Sequence, residues 1–124
     1  MPARIRITAG KVIAEAELND SATAKAILKA LPIEGQANRW GEEIYFEIPV
    51  KLSEAPDARQ EMAVGELAYW PVGAAFCIFF GRTPVSRDDK PRAYSNVNPF
   101  GTIAGDAKVF RAVRDGEAVR IERA

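Results

Sequence analysis

The chain has 124 residues, 48% of them hydrophobic and 27% charged, and its 17 basic residues balance 17 acidic ones. This composition predicts one globular domain over residues 1–124, long enough to bury a core without disulfides or metal. Zero net charge and the lack of a basic run exclude nucleic acid and anionic membranes as expected partners. No apolar run reaches the ~20 residues of a membrane span, and the segment MPARIRITAG lacks a signal-peptide core, so we expect a cytoplasmic location.

Histidine is absent from the sequence. Ser-His-Asp and Cys-His catalytic pairs, and His-ligated zinc or iron sites, are therefore excluded. The single cysteine, Cys77, excludes an intramolecular disulfide and is expected to act as a small buried hydrophobe. We predict no cofactor and no metal, and any catalysis would depend on carboxylates, Arg, Lys, Tyr or backbone groups.

The first half of the chain predicts a hairpin, a helix and one strictly alternating strand. Residues 4–8 and 11–18 have the pattern of two strands, and Gly10 supplies the turn between them. Oxygen-bearing side chains at 19–21 cap a predicted helix that Pro32 ends. Residues 36–41 are expected to form a loop, and 42–50 alternate as a strand. In that strand the predicted inward side chains are Ile44, Phe46, Ile48 and Val50, and the outward ones are Glu43, Tyr45 and Glu47.

The second half predicts shorter strands separated by polar loops. Residues 53–61 are predicted to be an exposed loop, and residues 82–98, which are charged and broken by prolines, a mobile surface loop. The predicted strands cover 66–70, 75–80 and 101–104, and a final strand has Val119 and Ile121 inward. Asp106 is expected to cap a second short helix before that strand.

The segment AAFCIFF, residues 74–80, is apolar on both faces of a strand. Phe76, Ile78 and Phe80 point one way, and Cys77 and Phe79 point the other. A strand that is apolar on both faces must be covered twice. Together with the order of the other elements, this predicts a mainly β fold, a closed antiparallel β-barrel capped by two short helices.

This order of elements, with these residues, resembles the cyclophilin fold over nearly the whole chain, in shortened form. The segments that carry the resemblance are RIRITAGKVIAEAELNDSATAKAILKALP, LAYWPVGAAFCIFFGRTP, NVNPFGTIAGDAKVFRAV and AVRIERA. The segments EEIYFEIPV, GELAYWPVGAAFCIFFG and NVNPFGTIAGD resemble more closely a family of small uncharacterised prokaryotic cyclophilin-like proteins.

Cyclophilins are prolyl isomerases, and the resemblance shows which parts of their chemistry this chain lacks. The reaction needs a hydrophobic pocket for the proline ring and an arginine that hydrogen-bonds the proline nitrogen, which lowers the ~20 kcal/mol barrier to rotation. Cyclophilins carry that arginine in a Phe-x-Arg pattern on the third strand, followed by Phe-Met-x-Gln. The matching strand here, residues 44–49, has no arginine and carries Glu47, and Asn98 stands near the place of the usual histidine. The remaining candidates for the cation are the predicted loop residues Arg39, Arg82 and Arg92.

Several rings and one amide suggest a ligand pocket on the outer face of the predicted barrel, where the isomerase site of cyclophilins lies. The candidate ligand-binding residues are Tyr45, Trp70, Phe76, Phe80, Asn98 and Phe100. For Phe76 and Phe80 the alternative is a place in the core, for Tyr45 the open surface, and for Asn98 a turn next to proline. The carboxylates Glu43 and Glu47 share one strand face, which we expect to be solvated rather than to serve acid–base or metal chemistry.

The leading functional hypothesis is a module that binds a small molecule or a short peptide in a hydrophobic groove, without conventional isomerase residues. One alternative is an enzyme, either a divergent prolyl isomerase or one that uses carboxylates and tyrosine. Another is an interaction protein that uses residues 82–98 to bind a partner.

Overall fold

The computed structural model describes residues 3–124, so Met1 and Pro2 of the segment examined for a signal peptide lie outside the described residues. The strands are β1 Arg4–Ala9, β2 Val12–Leu18, β3 Ile33–Gln36, β4 Asn38–Arg39, β5 Glu43–Glu47, β6 Arg59–Glu61, β7 Glu66–Trp70, β8 Ala75–Phe79, β9 Arg92–Ala104 and β10 Ala118–Arg123. The helix α1 covers Ala22–Ala30, and a 3-10 helix covers Ala107–Ala112. Among the described residues no helix is long and apolar enough to cross a bilayer.

The helix ends follow from local chemistry, as predicted. The Ser21 side chain accepts a hydrogen bond from the backbone N–H of Ala24, which satisfies one of the free donors at the start of α1. The Asp106 side chain accepts from the N–H of Lys108 in the same way and begins the 3-10 helix. Both predicted helices are therefore present, although the second is a short 3-10 helix rather than an α-helix.

The strands form one antiparallel sheet in the order β3-β10-β1-β2-β9-β7-β8-β5-β4, with β6 paired to β9 outside this path. The mainly β fold is confirmed. The hydrogen-bonded path has two ends, β3 and β4, so the pairing by itself does not establish the closed barrel that the sequence predicts.

Strand β8 is buried on both faces, as its composition predicts. Phe76 lies in the main core, where its ring stacks on Phe46 with centroids 5.1 Å apart and meets Phe100 edge-on at 5.0 Å. Cys77 and Phe79 face the opposite way, into a second apolar cluster that also contains Met62, Ala68, Ala75, Ala93 and Val97. The central strand is thus held between two separate hydrophobic layers.

The second layer includes residues from the predicted loops at 53–61 and 82–98. The loop prediction is wrong for the parts of these segments that form strands. Residues 92–98, predicted to be a mobile surface loop, form the first half of β9, and Arg59–Glu61 form β6. Arg59 binds both carboxylate oxygens of Glu66 at 3.0 and 2.6 Å, which links β6 to the start of β7. Arg59, Glu61 and Asn96 are exposed, whereas Ala93 and Val97 belong to the cluster of Cys77 and Phe79 and are buried.

The predicted loop at 36–41 also contains strand structure. Gln36 ends β3, and Asn38–Arg39 form β4, which pairs with β5. The pairing is short, so the alternation that reveals a longer strand does not develop in this segment.

Truncating either face of β8 should destabilise the fold to a similar extent. Phe76→Ala and Phe79→Ala, one in each layer, are each expected to lower the free energy of unfolding by about 3–5 kcal/mol, because each leaves a cavity in a packed layer. Urea unfolding measures this. The control Val72→Ala, whose side chain is 78% exposed, should change the value by no more than about 0.5 kcal/mol. A cost below about 1 kcal/mol for Phe79→Ala would contradict the second layer.

Candidate binding pocket

A pocket of about 230 Å³ opens on the outer side of β5, β7 and β8, beside the first half of β9. Its lining combines four large rings, one carboxyl, one thiol and two small apolar side chains. These residues are Trp40, Glu43, Tyr45, Trp70, Cys77, Ala93, Tyr94 and Val97. The pocket is therefore a gap in the second hydrophobic layer, and the main core lies behind the sheet.

The four rings stand as walls and do not stack on one another. Trp70 lies 6.3 Å from Tyr45 and 6.1 Å from Tyr94 between ring centroids, and Trp40 lies 6.2 Å from Tyr94. All three pairs are close to perpendicular, with interplanar angles of 79°, 79° and 71° respectively. Perpendicular neighbours leave ring faces open to the space between them.

Hydrogen bonds hold two of these walls in place. The indole Nε1 of Trp70 donates to Ser95 Oγ at 2.7 Å. On β9, the carbonyl of Tyr94 accepts from the side-chain amide of Gln60 at 3.3 Å, which ties this part of β9 to β6. The Tyr94 side chain itself is 69% exposed and forms the outer edge of the pocket.

The fourth wall, Trp40, is positioned by the turn between β4 and β5. Trp40 and Glu43 exchange backbone hydrogen bonds at 2.9 and 3.2 Å across this turn. Gly41 within it has a φ of +60°, and a Cβ at that position would come within 2.9 Å of the Arg82 carbonyl oxygen. Glycine is needed here because both the backbone conformation and the close approach exclude a side chain.

Glu43 is the polar group of the pocket, and it is 5% exposed. Its Oε1 atom is buried, with no hydrogen-bond partner among residues 3–124. Burial raises the pKa of Glu43 from 4.5 to about 8, and the neighbouring Cys77 thiol lowers it by a smaller amount. Burial, together with Glu43, raises the pKa of Cys77 well above its usual range. At neutral pH both groups are therefore mainly protonated and neutral.

Two of the six predicted site residues, Tyr45 and Trp70, line this pocket. Phe76, Phe80 and Phe100 are fully buried in the main core on the other side of the sheet, so they do not line it. Phe76 and Phe100 lie on the inner parity of their strands, and Phe80, one residue beyond β8, continues the parity of Phe76.

Asn98, the remaining predicted residue, is 1% exposed and lies outside the pocket lining. Its side-chain oxygen accepts from the N–H of Ala55 at 2.8 Å, and its amide nitrogen donates to the Ser53 carbonyl at 3.1 Å. The amide holds the segment before β6 against β9. Asn98 also lies within β9, so the turn next to Pro99 that the sequence suggests as the alternative does not form there.

Three further residues of the lining, Trp40, Tyr94 and Glu43, are not among the site residues predicted from the sequence. Glu43 and Glu47 were expected to share a solvated face, but only Glu47 is exposed. The expectation is wrong for Glu43 because the same face of β5 continues into the layer around Cys77 and Phe79. The apolar outer face of the partner strand β8 is the sequence feature that could have indicated the burial of Glu43, because a second layer must cover both strands.

The arginine candidates for isomerase chemistry are not among the residues that line the pocket. Arg39 donates to the carbonyls of Gly41 and Val113 at 2.7 and 2.8 Å, and its guanidinium lies 5.0 Å from the centre of the Phe80 ring. Arg92 donates to the side-chain oxygen of Gln60 at 3.2 Å. Within residues 3–124, no group of three or more Cys, Asp or Glu side chains is placed to hold a metal ion.

The fold and the pocket define a mainly β protein with an aromatic pocket on the outer side of its sheet. A model of the cyclophilin-like family matches residues 3–122. The solution structure of a hypothetical protein from Archaeoglobus fulgidus is 40% identical, covers 99% of this chain and 95% of its own, and superimposes with a TM-score of 0.84. A search of curated proteins finds no match. The chain belongs to the cyclophilin-like family, as the segments quoted from its sequence indicate.

The buried carboxyl should make stability depend on pH in a defined direction. Folded Glu43 keeps its proton up to about pH 8, whereas the unfolded chain releases it near 4.5, so the folded state binds more protons between these values. The free energy of unfolding should therefore fall as pH rises through this window, by up to about 1.4 kcal/mol per pH unit. Urea unfolding at several pH values measures the slope.

The matched variant is Glu43→Gln, which keeps the shape and removes the titration. Its stability should lack this decline, and at about pH 8 it should exceed that of the wild type. Glu42 does not disturb the comparison, because Arg111 lowers its pKa and it titrates below the window. Parallel curves for the wild type and the variant would contradict the burial of Glu43 as a neutral acid.

Proposed function

We propose that this protein is a binding module whose ligand site is the pocket bounded by Trp40, Tyr45, Trp70 and Tyr94, with Glu43 in its lining. The observation that carries the proposal is the coexistence, in one cavity, of open ring faces and a buried carboxyl whose Oε1 has no hydrogen-bond partner within residues 3–124. Buried polar groups normally have partners, and convergent polar groups in an apolar pocket are typical of ligand sites. A ligand that reaches Glu43 would supply the missing partner.

The size of the pocket limits the ligand. At about 230 Å³ it is smaller than the roughly 300–1,000 Å³ of sites that enclose drug-sized molecules. It suits a small molecule, or one side chain of a short peptide whose remainder lies outside. The binding group should be apolar around its circumference, to contact the rings, and polar at the end that meets Glu43.

The alternative of a divergent prolyl isomerase has less support. That reaction needs a cation beside the proline nitrogen, and the lining of this pocket contains a carboxyl but no Arg or Lys. Arg39 is held by three backbone carbonyls and the Phe80 ring, so a swing into the pocket would break these contacts. The hypothesis of a partner-binding loop at 82–98 also loses support, because residues 92–98 belong to strand β9.

A fragment screen followed by backbone amide NMR tests the binding proposal. Hits are expected to shift the signals of Glu43, Tyr45, Cys77 and Tyr94, which lie in the pocket. Trp70→Ala should weaken these hits at least tenfold, because it removes the ring that meets two other walls.

Two controls accompany this test. Val72→Ala changes an exposed residue outside the pocket and should leave binding unchanged. Trp40→Ala removes a different ring of the pocket and should weaken the binding of the same fragments. It therefore tests the pocket independently if Trp70→Ala fails to fold. A screen in which no fragment shifts these four signals would contradict the proposal.

We also infer that the sheet closes into the predicted barrel through Ala37. The two ends of the strand order, β3 and β4, are separated in sequence by this one residue. Its N–H donates to the Glu117 carbonyl at 2.8 Å, and its carbonyl accepts from the Gly116 N–H at 2.7 Å. The chain from β3 to β4 would thus join β10 to β5 as one bent strand.

Amide hydrogen exchange tests this closure. The Ala37 amide should exchange as slowly as the amides of β10, which begins one residue after its acceptor Glu117, because both would open only with the whole sheet. Exchange of Ala37 at the rate of an exposed loop would show that the sheet is open at this point.

A further inference from the structure

The pocket has a specific electrostatic character that narrows the class of ligand. We infer that the ligand is a small organic cation, an ammonium group that carries methyl or alkyl substituents and is held between the ring faces and the Glu43 carboxylate. This inference rests on the proposed function. Such a group is charged at its centre and apolar at its surface, which matches the two kinds of lining that the pocket combines.

The ring walls supply the first part of the recognition. Aromatic faces carry negative electrostatic potential and attract a cation whose centre lies within about 6 Å of the ring centroid. Neighbouring walls here are 6.1–6.3 Å apart and close to perpendicular, so a small group between them can contact more than one face. Two of the walls are tryptophans, Trp40 and Trp70, which bind cations best among the aromatic side chains.

Glu43 supplies the second part, which is the counter-charge. No Arg or Lys lines the pocket, so the carboxyl has no cation there to pair with. An unpaired carboxylate is costly in such a buried place, and the group stays protonated instead. An ammonium ligand would reverse this balance, because the pair it forms favours the ionised carboxylate. Binding at neutral pH would therefore release the Glu43 proton to solvent.

Two other ligand classes fit less well. An anion would meet a carboxyl and four negative ring faces, with no basic side chain in the lining. A neutral ligand with a carbonyl could accept the proton of neutral Glu43, but it would gain nothing from the ring faces beyond apolar contact. The direction of the pH dependence separates this last class from a cation.

The pH dependence follows from the groups that face Glu43. The titratable side chains in the pocket lining are the Cys77 thiol and the phenols of Tyr45 and Tyr94, and none of them is cationic. For a quaternary ammonium, whose own charge does not titrate, the apparent affinity should follow the ionised fraction of Glu43. It should rise about tenfold for each pH unit below the pKa and level off above about pH 9.

The test compares choline with its neutral tert-butyl isostere, in which carbon replaces the ammonium nitrogen, by amide NMR titration of the full chain. Choline should bind at least ten times more tightly than the isostere and should shift the signals of Glu43 and Tyr94. A short peptide with trimethylated lysine is the second arm. Tighter binding of the peptide would assign the cation to a peptide side chain, and tighter binding of choline would assign it to a free small molecule.

Glu43→Gln is the decisive variant, because it preserves the shape of the side chain and removes the counter-charge. It should weaken the binding of choline at least tenfold at about pH 8 and abolish the rise of affinity with pH. The affinity for the isostere should be unchanged. Val72→Ala is the matched control and should bind choline as the wild type does. The variant is expected to fold, since it replaces an unpaired buried acid, and urea unfolding checks this.

Several outcomes would overturn the inference. They are equal binding of choline and its isostere, unchanged binding in Glu43→Gln, affinity that falls as pH rises, or no binding of either cation. In the first three cases a ligand still occupies the pocket, so the proposed binding function stands and only the inference that the ligand is a cation is contradicted. If the fragment screen also finds nothing at these residues, both fail together.

Discussion

Burial of β8 on both of its faces is the constraint on which the rest of this structure depends. The strand pairs with β5 on one side and β7 on the other, and every residue from Ala75 to Phe79 is buried. Its inner face packs into the phenylalanine core, and its outer face needs a second cover. That cover is supplied by the first half of β9, which carries Ala93 and Val97 toward β8, and by Met62, which directly follows β6.

The candidate site exists because this cover is incomplete. Between the small side chains of β9 and the turn before β5, the second layer leaves a gap that large rings border but do not fill. Glu43 lies in this gap at a position where a packed layer would carry an apolar residue, and its Oε1 has no hydrogen-bond partner in the described part of the chain. Proteins tolerate such a group where it serves a function, since filling the site with a hydrophobe would be more stable. The same layer therefore provides both the stability of β8 and the chemistry of the pocket.

Part of the site could be predicted because it follows from local pattern. Tyr45 lies on the opposite parity from Ile44 and Phe46, and Trp70 ends a strand next to a proline, so both are expected at a boundary between core and solvent. Phe76, Phe80 and Phe100 are aromatic like the residues of the pocket, but they lie on the inner side of the sheet. They were predicted as site residues because alternation along a strand does not show which of two apolar faces is the core. Tyr94 was missed because charges and prolines nearby imitate a loop, whereas tertiary pairing with β6 makes it strand.

Local sequence patterns are enough to predict the class of fold, the hairpin and helix at the start, the caps at Ser21 and Asp106, and the two-sided burial of β8, because each depends on periodicity or on neighbouring residues. Family segments spread along the chain determined its membership of the cyclophilin-like family. The pocket itself could not be predicted in this way, because Trp40, Glu43, Trp70 and Tyr94 come from three separate parts of the chain and meet only through the pairing of distant strands. The tertiary structure also decided the protonation of Glu43, because the pKa of a carboxyl depends on the burial that distant strands impose.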